Sequence, residues 1–265
     1  MRNQLDERLE RVRSEGHTAF IPYLMAGDPS PDGTLELMQA ILASGADVLE
    51  IGFPFSDPIA DGPTIQAAGV RALATGIRTG AVLEIAAEIH RRSDTPLVGM
   101  AYANPIVQYG VAQFARDAAR SGLNALIVPD LSFEERALVE DDLNQHGLHL
   151  IPLVAPTTPE PRLRSILEAA SGGFIYAVSV TGVTGARIDI GPQALRLLTQ
   201  MEEITGIPRA LGFGIRDGAA AARYRGKADA VVVGSALVDA HGGRTDREAI
   251  AKLISLCQDI AQTLH

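Results

Sequence analysis

Two acidic residues carry the clearest chemical signal in this 265-residue chain: Glu50, inside the apolar run VLEIG, and Asp61, eleven positions on in the loop FPFSDPIADGPT. A charged side chain buried in a strand is costly unless a site uses it. Because side chains alternate along a strand, Glu50 can point into a barrel, where apolar walls raise its pKa towards the range of a general acid and base. Pro54, Pro58 and Pro63 limit the freedom of the loop that carries Asp61. For Asp57 and Asp61 the plain alternative is turn chemistry, since Asp before Pro or Gly is common in turns. A strand carboxylate, a second one close by and a stiffened loop between them favour a site.

Other chemistries find no suitable residues. Schiff-base aldol chemistry needs a lysine at the mouth of the fold, yet Lys227 precedes the last strand-like run and Lys252 lies in the last helical pattern. Metal-dependent cleavage usually needs a histidine cluster, and the histidines are scattered: His17 precedes the first strand, His90 is in a helix, His146 and His149 flank the fifth strand, and His241 and His265 belong to the tail. A bound metal is not expected from these residues. Cys257 has no second cysteine to pair with and reads as a small packing residue, which agrees with a reducing, cytoplasmic setting.

The elements that must position the two acids repeat. Apolar runs of four to seven residues, each followed by a turn and a longer helical pattern, mark βα units on a parallel sheet. Eight strands are expected: Phe20 to Met25, Val48 to Gly52, Leu97 to Tyr102, Ala125 to Val128, Leu148 to Val154, Phe174 to Ser179, Arg209 to Phe213 and Ala230 to Val233. Runs such as IPYLM, ALIV and AVVV are continuous rather than alternating, as strands buried on both faces should be. Helices are expected over Thr34 to Ser44, Ala81 to Arg92, Val111 to Arg120, Phe133 to His146, Pro161 to Ala170 and Pro192 to Met201, with a further one, Leu5 to Ser14, before the first strand. An open doubly wound sheet competes, but eight strands with parallel crossovers and no antiparallel tail close more naturally into a (β/α)8 TIM barrel. With no linker or change of composition, residues 1–265 read as one barrel domain.

In that architecture the catalytic groups lie where the strands end. Three glycine-rich turns fall there: SVTGVTGAR after the sixth strand, GFGIR at the end of the seventh, and Gly234-Ser235 after the eighth, opening what reads as the last long helix. Glycines let backbone amides approach an anion, and three such turns together suggest a phosphate monoester. A net charge of −9 disfavours nucleic acid, and no apolar run is long enough to span a bilayer.

The residues resemble the family of tryptophan synthase alpha subunits, over nearly the whole chain. LEIGFPFSDPIADGPTIQ at Leu49 to Gln66 is the most specific stretch, supported by PYLMAGDP, YANP at Tyr102 to Pro105, VPDL, SVTGVTGAR and GFGI. The resemblance implies a cofactor-independent lyase of L-tryptophan biosynthesis that cleaves indole-3-glycerol phosphate to indole and glyceraldehyde 3-phosphate. It puts the catalytic carboxylates on Glu50 and Asp61. Tyr176 matches a position near the reacting centre, with a buried core tyrosine as the alternative. Phosphate-binding positions match Thr184, Gly185, Gly214, Gly234 and Ser235, and the indole walls match Tyr23, Met100, Ile127 and Phe213. The resemblance also implies an alpha-beta-beta-alpha heterotetramer, its beta subunit meeting the rim at Phe55, Asp57, Pro58, Asn104, Pro105 and Phe133. Phe53, Phe55, Ile106, Val107, Leu131 and Phe133 should crowd apolar surface onto that rim, for a lid or a partner to cover. Two departures stand out: LSFEE at Leu131 to Glu135, where many relatives carry a second proline motif, and Met25, where they have a smaller or polar residue.

Overall fold

The computed structural model describes residues 2–178, 191–212 and 214–265. In chain order the parallel strands are β1 (Ala19–Met25), β2 (Leu49–Gly52), β3 (Leu97–Met100), β4 (Leu123–Ile127), β5 (His149–Leu150), β6 (Leu153–Val154), β7 (Ile175–Val178), β8 (Arg209–Gly212) and β9 (Ala230–Val233). They pair in the order β5-β4-β3-β2-β1-β9-β8-β7-β6, so the two ends of the sheet are successive pieces of one run. Pro152 explains the break, because it has no N–H to give to a ladder. The Ile151 N–H still donates to the Leu126 carbonyl on one side, and the Pro152 carbonyl accepts from the Tyr176 N–H on the other. The (β/α)8 barrel therefore stands, with the expected strand Leu148 to Val154 corrected to two short pieces around Pro152.

Alternation sorts the strand residues. Ile21, Val48, Val98, Ala125, Phe174 and Ala210 fill an inner core, while Phe20, Leu49, Leu97, Leu126 and Leu211 belong to the layer under the helices. The helix Gln4–Ser14 plugs the N-terminal end of the barrel, its Leu5, Leu9 and Val12 joining the inner core. Asn3 caps that helix, and Asp6 returns the favour by accepting from the Asn3 N–H. Asp6 also bonds His149 at 2.8 Å and accepts from the Gly173 N–H at 2.7 Å, fastening the plug to β5 and to the turn before β7.

Two helical expectations need correction, and two helices are additional. Phe133 to His146 is not one helix: a 3-10 turn, Phe133–Leu138, and a short helix, Glu140–Gln145, meet at Val139, whose φ of −129° leaves the helical region. The helix opened by Ser235 stops at His241, where Gly242 is left-handed at φ 56°, and a separate helix, Arg247–Leu264, begins from the Asp246 cap. Helices Pro63–Ala74 and Ala103–Tyr109 were not expected, the first because Pro63 reads as a loop stiffener although proline suits the first helical turn. Cys257 is buried in the last helix, and burial pushes its thiol up to about 12, as a packing residue requires. Among the described residues no helix is long and apolar enough to cross a membrane.

Burial alone would raise the Asp6 carboxyl, but the bonds from His149 and the Asn3 and Gly173 N–H groups outweigh it and hold it down to about 2. A depressed carboxyl contributes stability above its unfolded pKa and loses it as pH falls through the folded value. Asp6→Asn should therefore cost about 1–3 kcal/mol at neutral pH, a penalty that shrinks in acid. Urea unfolding of the two proteins across acidic and neutral pH checks this, and an equal penalty at every pH contradicts it.

Candidate active site

A cavity of about 690 Å³ opens at the C-terminal ends of the strands, and Glu50, Asp61, Tyr176, Tyr23, Met100, Ile127, Gly214, Gly234 and Ser235 all line it. Nine residues singled out from the sequence are thus brought to one place. Thr184, Gly185 and Phe213 lie outside the described residues. The rim residues Phe55, Asp57, Pro58, Asn104, Pro105 and Phe133 do not line the cavity.

Glu50 occupies the second position of β2, one alternation beyond Val48 of the inner core, with Tyr23 and Val98 as its strand neighbours. It is 1% exposed, and its Oε2 has no hydrogen-bond partner among the described residues. Burial, seconded by the like charge of Asp61, pushes its carboxyl up to about 8. The proton thus stays on at neutral pH.

Asp61 sits in the turn before helix Pro63–Ala74, its N–H bonded to the Pro58 carbonyl and its own carbonyl accepting from the Gln66 side chain at 2.8 Å. It is 9% exposed, and burial pushes it up to about 6 against the opposing pull of a hydrogen bond from Tyr102. Tyr102 braces this loop twice, since its hydroxyl also accepts from the Ala60 N–H at 3.1 Å and its ring stacks at 5.2 Å on Phe55. Two carboxyls share one cavity, one tending to keep its proton and the other to lose it. Such a pair suits a proton donor beside a fixed anion.

Two tyrosines close the floor by crossing glycines at strand ends. A Cβ on Gly52 would lie 2.1 Å from the Tyr23 hydroxyl, and one on Gly212 would lie 2.5 Å from that of Tyr176. Burial raises both phenols well above their usual range, so they remain neutral hydrogen-bonding groups. Gly214 takes a positive φ of 50° that suits glycine, and Gly234 and Ser235 begin the helix Ser235–His241.

The sequence reading missed several lining residues: Ile59, Ile65, Leu153, Arg216 and Asp239. It also passed over Tyr102 as a group acting on Asp61, although YANP held it in view. The rim needs one correction. Phe53 and Ile106 are buried, because Phe53 packs on Phe114 beneath the loop, whereas Ile59 is 82% exposed and Val107 is also exposed.

The chain is similar to known proteins along nearly its whole length. A family model described as tryptophan synthase alpha chain matches residues 9–265. The chain is 48% identical over 238 residues to a tryptophan synthase alpha chain of Methanosarcina barkeri (strain Fusaro / DSM 804), covering 89% of each. It is 41% identical over 261 residues to that of a Picosynechococcus species, covering 98% of each. Among solved structures it is similar to a chain of Mycobacterium tuberculosis tryptophan synthase with TM-score 0.91 and 37% identity, covering 100% of this chain and 99% of that one.

The strain of burying Glu50 has a measurable sign. A carboxyl whose folded pKa is raised loses stability as pH climbs from the unfolded to the folded value, because only the unfolded chain sheds the proton freely. Glu50→Gln cannot ionise, so it should melt above the unaltered protein in alkaline buffer, by on the order of a few kcal/mol, with the gap closing in acid. A calorimetric pH series tests this, and a variant no more stable in alkali than in acid defeats it.

Proposed function

The chain belongs to the tryptophan synthase alpha chain family, and from that membership we propose that the cavity at its barrel mouth is where indole-3-glycerol phosphate is cleaved. The enzyme is a lyase: it splits that substrate by a retro-aldol reaction into indole and glyceraldehyde 3-phosphate, as the alpha subunit in L-tryptophan biosynthesis. The observation that carries the assignment of roles is the pair of buried carboxyls, one at about 8 and the other at about 6, facing a single cavity.

The reaction needs a proton on indole C3 and the loss of one from the hydroxyl on the adjacent glycerol carbon. Glu50, protonated at neutral pH, gives the first. Its carboxylate then takes the second while the carbon–carbon bond breaks, its electrons returning to the ring as the hydroxyl carbon becomes a carbonyl. Glu50 ends as it began. Protonation at C3 puts positive charge on the indole nitrogen, which the Asp61 carboxylate stabilises from a fixed position because Tyr102 and the proline-rich loop limit its motion. Tyr176 bonds the glycerol part, and Tyr23, Met100 and Ile127 wall the ring. Backbone amides at Gly214, Gly234 and Ser235 receive the phosphate; Thr184, Gly185 and Phe213 take the roles that the family resemblance gives them.

Indole passes to a beta subunit in an alpha-beta-beta-alpha assembly. Phe55, Asp57, Pro58, Asn104, Pro105 and Phe133 form the contact we propose, supported by the exposed Ile59 and Val107 on the same rim. The cytoplasm is the proposed setting, supported by the unpaired Cys257.

The sign of the pH dependence follows from the roles. Activity falls in acid as Asp61 gains a proton and in alkali as Glu50 loses one, so kcat/KM should trace a bell with limbs near the two values above. Asp61→Asn removes the like charge that helps raise Glu50, and should move the alkaline limb to lower pH as well as slow turnover. Glu50→Gln should lower indole release about 100-fold or more. Indole release measured against pH with and without a beta subunit decides the matter: undiminished activity in Glu50→Gln removes the proposed chemistry.

A further inference from the structure

Arg216 is the one cationic side chain lining the cavity among the described residues, against the carboxyls of Glu50, Asp61 and Asp239. It stands two residues beyond Gly214 and one before Asp217, whose side chain caps the helix Gly218–Ala222 by accepting from the Ala220 N–H. That cap fixes the backbone on which Arg216 is mounted. The side chain is exposed, and no hydrogen bond or ion pair holds it to any described residue. Arg209 on the same segment is the contrast, being held by both Asp229 and Glu202. Asp239 lines the same cavity, four residues after Ser235, and no ion pair joins it to Arg216.

A phosphate monoester carries close to two negative charges near neutral pH. Brought into this cavity, it shares the space with the Asp239 carboxylate in a chain whose net charge is already −9. Glycine amides contribute partial charges only. A guanidinium offers a planar fork that matches two phosphate oxygens, and an arginine with no partner among the described residues gives up no bond to them to use it. Resting on the reading of the cavity given above, we propose that Arg216 swings onto the substrate phosphate as a cationic clamp that offsets Asp239 and sets the affinity for the phosphate-bearing end of the ligand.

A clamp on the phosphate would act on a part of the substrate that does not react, so its loss should raise KM and leave kcat nearly unchanged. Because the group is exposed, the effect should weaken as salt is added. The test measures indole release from indole-3-glycerol phosphate, together with calorimetric binding of inorganic phosphate, for the unaltered chain, Arg216→Gln and Arg216→Lys at low and high potassium chloride. Arg216→Gln should raise KM and the phosphate Kd by about tenfold at low salt with kcat within about twofold, Arg216→Lys should recover much of the loss, and Asp239→Asn should tighten phosphate binding. Unchanged KM and phosphate Kd in Arg216→Gln, or a fall in kcat alone, overturns the proposal. An unaltered chain that binds phosphate but releases no indole instead sinks the functional reading and leaves the phosphate measurement to judge the clamp.

Discussion

A carboxyl kept out of water is the constraint on which the rest of this structure depends. Glu50 could stand anywhere on the barrel rim as an ordinary ionised acid. Its position inside β2, one alternation beyond Val48, gives it a proton at neutral pH. Asp61 adds to that effect through its own charge, so the loop must bring the second acid close while leaving it mostly ionised. Tyr102 serves both needs, lowering the Asp61 pKa with a hydrogen bond and pinning the neighbouring Ala60 amide. The raised Glu50 is therefore a property of two strands and a loop rather than of one residue.

The barrel divides the labour of meeting that constraint. The helix Gln4–Ser14 and the inner layer of Ile21, Val48, Val98 and Ala125 keep water from the floor. Strand-end glycines at positions 52 and 212 give the two tyrosine rings room to lie across the strand ends. Glycine turns after β8 and β9 bring Gly214, Gly234 and Ser235 to the same cavity. In the proposed reading, indole-3-glycerol phosphate places its ring by the acids and its phosphate by those glycine amides.

The parts legible in the sequence were those governed by local rules. Strands buried on both faces appear as unbroken apolar runs, and Glu50 stood out because its charge interrupts one of them. Asp61 was visible through the prolines around it. Where tertiary context decides, the reading failed. Pro152 splits the fifth strand, yet the apolar pattern runs straight through it. Val139 breaks a helix whose polar pattern continues, and the Gly242-Gly243 pair ends a helix that reads as long. Tyr102 was hidden because its partner, Asp61, is 41 residues away in the chain and is reached only when β2 and β3 pair. Phe53 looked like rim surface until Phe114 covered it.

The protonation state of Glu50 can be observed without substrate or turnover. Carbon-13 labelling of the glutamate side chains, with Glu50→Gln used to assign the signal, gives the Glu50 carboxyl shift as a function of pH in the free protein. The account predicts a carboxylic acid at neutral pH that titrates near 8. A midpoint near the ordinary glutamate value of 4.5 would contradict it.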